Sequence, residues 1–399
     1  MNSNVNVQNF LLEHNFSTGI ADNLHTKIIE DMQKGLSTGN ADQAMIKAGS
    51  AAVRTIHDGE TAIVIDAGGT NFRSSLVTKT QDGISISHFE KTSMPAIDRE
   101  LNKTEFYKAI ADNISRLKGL SDKISFCFSY AMEITPDGDG KILRFSKEIK
   151  AEQAVGTFIG KELSEELKKQ GWDSIKKINV LNDTTALLLS SFADQTNKKG
   201  GTHLAYILGT GMNSAYISNN TIIVTECGMF SNLKQSDFDL IVTGRTTQPE
   251  NSIIEKMSSG AYLGDIAFEM LKAAHKEGLF SSAFVLPAAF ATKDFDAYFL
   301  KDENQLSEDE KIVKELLFAI ITRSAYLSAE TIYAAILCAD KEKEELPVCI
   351  TCNGSTFWKT PLLKQTAEAR LKSLLKQPFE IIQIADDITK GSFAAAFIA

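Results

Sequence analysis

Short apolar runs that stop at a polar or glycine-rich turn recur along this chain, and stretches with helical spacing separate them. Residues 61–66 read Thr-Ala-Ile-Val-Ile-Asp, an apolar run of strand length that ends in a carboxylate. The turn Ala67-Gly68-Gly69-Thr70-Asn71 follows, and residues 72–78 read as a second strand. Residues 124–130 and 178–181 are further strand-like runs. The second leads through Asn182-Asp183-Thr184-Thr185 into an apolar helix over about 186–193. Strands at 204–208 and 214–217 flank a glycine turn at 209–211. Strands at 347–352 and 379–384 complete the series, the first ending at Asn353-Gly354-Ser355. Helical spacing covers 8–56, where Leu24, Ile28, Ile29, Met32 and Leu36 share a face. It returns over 104–118, 151–170, most of 250–345, and a small-residue segment at 391–399. This alternation predicts an α/β fold.

A chain of 399 residues exceeds one ordinary core, so two lobes are expected. Residues 57–182 are expected to form a smaller lobe and 183–385 a larger one. The helical segment 1–56 would join the larger lobe, and a helix over 386–399 would return to the smaller. Apolar residues at 43% and charged residues at 23% are ordinary globular values. A net charge of −9 argues against nucleic acid as a partner, because phosphate backbones need a basic surface. The polar start MNSNVNVQNF lacks a secretory pattern, no apolar run is long enough for a bilayer, and the five cysteines are scattered. A cytoplasmic protein with reduced thiols and no membrane partner is expected, as monomer or homodimer. Cys349 and Cys352 form a C-x-x-C, but they lie in a strand-like run with no second ligand pair nearby, which favours small buried residues over a metal site.

Two segments share one design of strand, Gly-Thr turn and strand: IVID-AGGTN-FRSSLV and LAYIL-GTGMN-SAYI. No helix follows the glycines, so neither is a P-loop or a dinucleotide fingerprint. Such turns point backbone N–H groups at an anion, and glycine removes the Cβ that would block a phosphate. Each alone is more readily a plain hairpin. Two of them, with Asp66 placed to hold Mg²⁺ directly or through water, suit a triphosphate clamped from both sides.

The segments IDAGGTNFR, FSYA, SKEIKA, LNDTTALLL, LGTGMNSAY, VTECGMF, IIEKMSSGAYLGD, NGSTFWKTP and KGSFAAAFIA occur in this order from about residue 60 onward. Together they resemble the hexokinase and glucokinase family of the two-lobe actin-like ATPase (ribonuclease H-like) fold. The resemblance implies transfer of the γ-phosphoryl group of ATP to a sugar 6-hydroxyl in the cleft between lobes. It implies that Asp66, Gly68, Gly69, Thr70, Asn71 and Arg73 form one ATP motif, Gly209, Thr210 and Gly211 a second, and Gly354 and Ser355 an adenosine motif. Ser129, Ser146, Lys147, Asn182, Asn213, Glu226 and Glu255 match sugar-contacting positions, and Asp183 matches the catalytic base, with Lys147 beside it. The chain departs from the family pattern at Ala67 for Leu, Ala131 for Pro, Glu148-Ile149 for Gly-Phe, Val224 for Asn and Cys227 for Trp. These departures bear on sugar specificity.

A carboxylate beside a sugar hydroxyl can accept its proton during transfer. Taken locally, Asn182-Asp183-Thr184-Thr185 is also a helix-capping sequence. Glucose is the expected acceptor, with mannose or fructose beside it. The competing expectations are another hexose or N-acetylhexosamine, a sugar-binding regulator without turnover, and a plain ATPase.

Overall fold

The computed structural model describes residues 2–16, 23–135, 137–145, 148–193, 201–339 and 346–398. Helices α1 (Asn2–Glu13) and α2 (Leu24–Thr38) come first, and α2 buries Leu24, Ile28 and Met32. Strand β1 (Ile46–Ser50) follows where the spacing predicts helix. Its five residues have no clear alternation. It is a strand because it pairs antiparallel with a distant partner, Ile46 opposite Val224, a tertiary effect that outweighs local preference.

Strands β2 (Thr61–Gly68) and β3 (Asn71–Thr80) make the first hairpin, with Gly68 opposite Asn71. Then come β4 (Gly83–Ser93), α3 (Lys103–Asn113), β5 (Lys123–Phe128), β6 (Ala131–Ile134), β7 (Gly140–Arg144), α4 (Ile159–Lys169) and β8 (Lys177–Leu181). One sheet has the order β4-β3-β2-β5-β8, with β2, β5 and β8 parallel. Both faces of β2 are covered, which explains its unbroken apolar run. Ile63 and Ile65 join the core under α3 and α4 with Phe106, Phe126 and Leu163. Ala62 and Val64 face Phe393 and Phe397.

The chain continues with α5 (Asp183–Ala193), then β9 (Thr202–Leu208), β10 (Met212–Ser218) and β11 (Thr221–Val224). Helices α6 (Asp237–Thr243), α7 (Ile253–Ser258), α8 (Leu263–Lys276), α9 (Asp296–Phe299) and α10 (Glu308–Cys338) follow. Last are β12 (Val348–Asn353), α11 (Ser355–Lys359), α12 (Leu363–Leu374), β13 (Phe379–Ile382) and α13 (Asp387–Ala395). The second sheet has the order β1-β11-β10-β9-β12-β13. Helix α10 buries Val313, Leu316, Ile332 and Ile336 in the core, and its buried charges Arg323 and Glu330 are paired with Asp239 and Arg370. Cys349 and Cys352 sit three apart on β12, so they point to opposite faces of the sheet. Among the described residues, no helix is long and apolar enough to cross a membrane.

Helices α5 and α13 cross between the two sheets. Leu181, Leu187, Leu188, Ala205, Ala215, Ala394 and Ala395 form one buried cluster there. The crossing is backbone against backbone: a Cβ placed on Gly391 would stand 1.7 Å from the Ala186 carbonyl oxygen. Gly391→Ala therefore has to push the helices apart. It is expected to lower stability by about 3 kcal/mol, the upper end of a typical overpacking cost, and to show as a reduced denaturant midpoint. An unchanged midpoint would mean that the helices are not held this closely.

Candidate active site

Asp66 stands near the end of β2, and strand register sets Arg73 opposite it. Arg73 Nη1 donates to Asp66 Oδ2 at 2.7 Å. Helix α5 begins where β8 ends. Its cap is Asn182, whose Oδ1 accepts the Thr185 amide at 2.8 Å. The cap position is therefore taken by Asn182 rather than by Asp183. Asp183 is the first helical residue, and its Oδ1 accepts the Thr184 amide at 2.7 Å and the Thr184 hydroxyl at 3.2 Å. Burial pushes its pKa above the usual aspartate value, the Thr184 hydrogen bonds oppose that rise, and the negative charge of Asp66 adds to it.

The second hairpin carries the rest of the polar set. Asn213 Nδ2 donates to Glu226 Oε1 at 2.7 Å, and the Glu226 amide donates to Asn213 Oδ1 at 3.1 Å. This reciprocal pair holds Glu226 in a left-handed conformation, φ 54°, that a residue with a Cβ adopts at a cost. Glu255 reaches the same turn from α7, where its Oε2 accepts the Met212 amide at 2.9 Å. The missing Cβ of Gly211 makes room for Glu255: a Cβ there would lie 2.6 Å from Glu255 Oε2. Burial raises the pKa of both glutamates. The Asn213 hydrogen bond opposes this at Glu226, and the Met212 amide opposes it at Glu255. Glu226 is raised further by the charges of Asp183 and Glu255, which makes these three carboxylates one interacting group.

Ser129 lies against the first glycine turn. Its amide donates to the Ala67 carbonyl at 2.9 Å, and its Cβ would stand 3.0 Å from one placed on Gly68. Gly69, Thr70 and Asn71 complete that turn. Ser146 and Lys147 lie outside the described residues. Cys227, the departure from Trp, is buried, and burial pushes its thiol up to about 12, so it stays protonated.

The third turn closes on the second. The Gly209 carbonyl accepts the Gly260 amide and the Thr356 hydroxyl, each at 2.8 Å, and Gly354 stands beside Gly209. A cavity of about 280 Å³ opens here, lined by Thr210 and Ser355 together with Gly260, Ala261, Thr292, Lys293, Asp296, Thr356, Lys359 and Thr360. Only the first two were identified from the sequence. Lys359 follows Ser355, and Thr360 follows Thr356, by one helical turn, so helical spacing was a usable signal. Thr292 and Lys293 come from a short turn with no motif. Asp387 was also missed. It is buried, is bonded to Asn353 through that residue's Nδ2, and lies close enough to Asp66 to have its carboxyl pKa raised by it, after the larger effect of burial. It opens α13 as Asp183 opens α5, which was a legible parallel.

Among the described residues, no cluster of three His, Cys, Asp or Glu side chains is arranged to hold a metal alone. Asp66, with one oxygen on Arg73, is a hard oxygen donor near the turns. That fits Mg²⁺, which is held by few carboxylates and keeps waters and phosphate oxygens as its other ligands.

Two family models, each described as Hexokinase, match residues 6–193 and 203–399. Hexokinase-5 of Oryza sativa subsp. japonica is 28% identical over 334 residues, covering 72% of this chain and 63% of that protein. Hexokinase-1 of Schizosaccharomyces pombe is 24% identical over 414 residues, covering 91% of this chain and 84% of that protein. A solved hexokinase from Schistosoma mansoni, complexed with glucose, superposes with a TM-score of 0.73 at 21% identity, over 99% of each chain. At that identity the superposition speaks for the fold.

The charge cluster has a measurable stability cost. A glutamate whose folded pKa is raised contributes full stability below the ordinary value of about 4.3 and loses it as pH rises through the folded value. Glu226→Gln keeps an oxygen for Asn213 and removes the charge. Its melting temperature is expected to exceed that of the parent by roughly 2 °C at pH 7, and the difference should vanish near pH 4. A lower melting temperature at both pH values would show that burial of the charge is not what strains this site.

Proposed function

This chain belongs to the hexokinase family and is an ATP-dependent hexose kinase, and on that premise we propose that it phosphorylates D-glucose at the 6-hydroxyl, with mannose or fructose as further acceptors. The observation that carries the proposal is the meeting of Asp183, Asn213, Glu226 and Glu255 beside two glycine hairpins. A hexose presents several hydroxyls, each able to donate and to accept. Carboxylates and amides already held in place by backbone groups suit that ligand, because little side-chain freedom remains to be lost on binding. The glucose complex of the Schistosoma relative supports glucose as the first acceptor to test.

In the proposed reaction the sugar O6 forms a bond to the γ-phosphorus while the bond from that phosphorus to the β–γ bridging oxygen breaks. Asp183 takes the O6 proton and ADP leaves. Because burial and Asp66 raise its pKa, Asp183 is a stronger proton acceptor than an ordinary aspartate. Asn182, Asn213, Glu226, Glu255, Ser129 and Ser146 would orient the sugar, and Lys147 would stand near the transferring group. Gly68, Gly69, Thr70, Asn71 and Arg73 on one side, and Gly209, Thr210 and Gly211 on the other, would flank the phosphates. Gly354 and Ser355 would face the adenosine in the 280 Å³ cavity. Asp66 would hold Mg²⁺, directly or through water, and the ion would neutralise phosphate charge. Catalysis here is mainly positioning and charge stabilisation. We place the reaction in the cytoplasm, with the lobes closing over bound sugar to keep water from ATP.

Asp183→Ala is expected to fold and to bind hexose while kcat falls by about three orders of magnitude, measured as coupled ADP release beside binding calorimetry. Near-normal turnover would remove Asp183 from the mechanism. In the parent, the acid limb of the kcat/KM profile is expected to lie above the ordinary aspartate value of about 3.9, because the base must be ionised and its pKa is raised. A panel of glucose, mannose, fructose and N-acetylglucosamine gives the acceptor, and absence of ADP release with every hexose would overturn the proposed function.

A further inference from the structure

We propose that Tyr130 is a positioning residue for the nucleotide: its hydroxyl orients the Gly69–Thr70 peptide so that the Thr70 amide faces the phosphate site, and its neighbour Ser129 ties the Ala67–Gly68 peptide of the same turn to the sugar side. The proposal rests on the hexose-kinase reading of the cleft for its second half only.

Tyr130 Oη donates to the Gly69 carbonyl at 2.6 Å. The carbonyl and the following N–H of a planar trans peptide point in opposite directions, so a carbonyl held on one side aims the amide to the other. Without that tether, the paired glycines would leave the turn free to rotate, since Gly69, at φ 58°, has no Cβ to limit it. The tyrosine ring is a firm anchor. It is 9% exposed and packs against Phe128 and Phe145, with ring centroids 4.7 and 5.5 Å away. Burial raises its phenol pKa above the ordinary value, and the charges of Glu148 and Asp66 raise it further, so the hydroxyl remains a neutral donor.

Two other carbonyls of the turn are held by backbone amides. Ala67 O accepts the Ser129 amide at 2.9 Å, and Thr70 O accepts the Met94 amide at 3.0 Å. Two of these three tethers therefore come from the adjacent residues Ser129 and Tyr130. The second hairpin is built alike: Gly209 O takes the Gly260 amide and the Thr356 hydroxyl, and Thr210 O takes the Ala261 amide at 3.3 Å. Both glycine turns are thus held from behind by their carbonyls. In the first, the holding residues are part of the segment expected to touch sugar, so a shift of Ser129 on sugar binding moves the same turn.

Tyr130→Phe removes the hydroxyl and keeps the ring. The affinity of a non-hydrolysable ATP analogue is measured by calorimetry with and without saturating hexose, beside KM for ATP, hexose affinity and melting temperature. The analogue is expected to bind about five-fold more weakly, as loss of one hydrogen bond of about 1 kcal/mol gives, and KM for ATP to rise in step. Hexose affinity should stay within about two-fold, and the tightening of the analogue by hexose should shrink. Unchanged analogue affinity, or an equal loss for hexose and analogue with a lower melting temperature, overturns the proposal. Analogue binding without sugar reads the Tyr130 tether even if no hexose supports ADP release, so the two proposals fail separately.

Discussion

The crossing of α5 and α13 is the constraint on which the cleft depends. Gly391 lets the two helices meet backbone to backbone at Ala186, between the two sheets. Each helix begins with an aspartate, Asp183 and Asp387, at its N-terminal end. The distance between the helices therefore sets where those carboxylates stand relative to Asp66 and to the glycine turns. A crossing one methyl group wider would move two of the site's charges together. The surrounding cluster of Leu, Val and Ala side chains keeps that distance by ordinary close packing.

Against this frame the site is arranged at an energetic cost. Carboxylates at Asp183, Glu226 and Glu255 are desolvated and interact unfavourably, and each is supported by few donors. Glu226 also holds an unfavourable backbone conformation. Such features persist where the surrounding fold over-determines them, and they concentrate where function requires fixed polar groups. The donors that hold them come from backbone amides at 184 and 212 and from the Asn213 side chain, so binding is built on parts that cannot easily move.

Much of this was legible along the chain. The hairpin strands announced themselves by apolar runs closed by Gly-Gly-Thr and Gly-Thr-Gly, because strand burial and turn chemistry are local properties. Asp183 was harder. Taken locally, its neighbours read better as a cap than as a catalytic site, and only the structure assigns the cap to Asn182. Strand β1 was illegible because its pairing partner lies far away at 221–224. Thr292 and Lys293 were illegible because nothing in an irregular segment says which cavity it will border. The close approach of Glu255 to Gly211 was illegible as well, since that side chain comes from another helix.

By itself the sequence determined the α/β alternation, the two glycine hairpins, the carboxylate at the end of β2 and the ordered motifs that define the family. Those follow from periodicity, turn preference and residue type, all of which act over a few residues. Tertiary structure alone decided that Asp183, Glu226 and Glu255 share one electrostatic environment, that Asp387 joins Asp66, and that Tyr130 reaches the carbonyl of Gly69. Burial and Coulomb interaction depend on distance in space, and residues 69 and 130 or 183 and 255 become neighbours only when the sheets and the crossing helices bring them together.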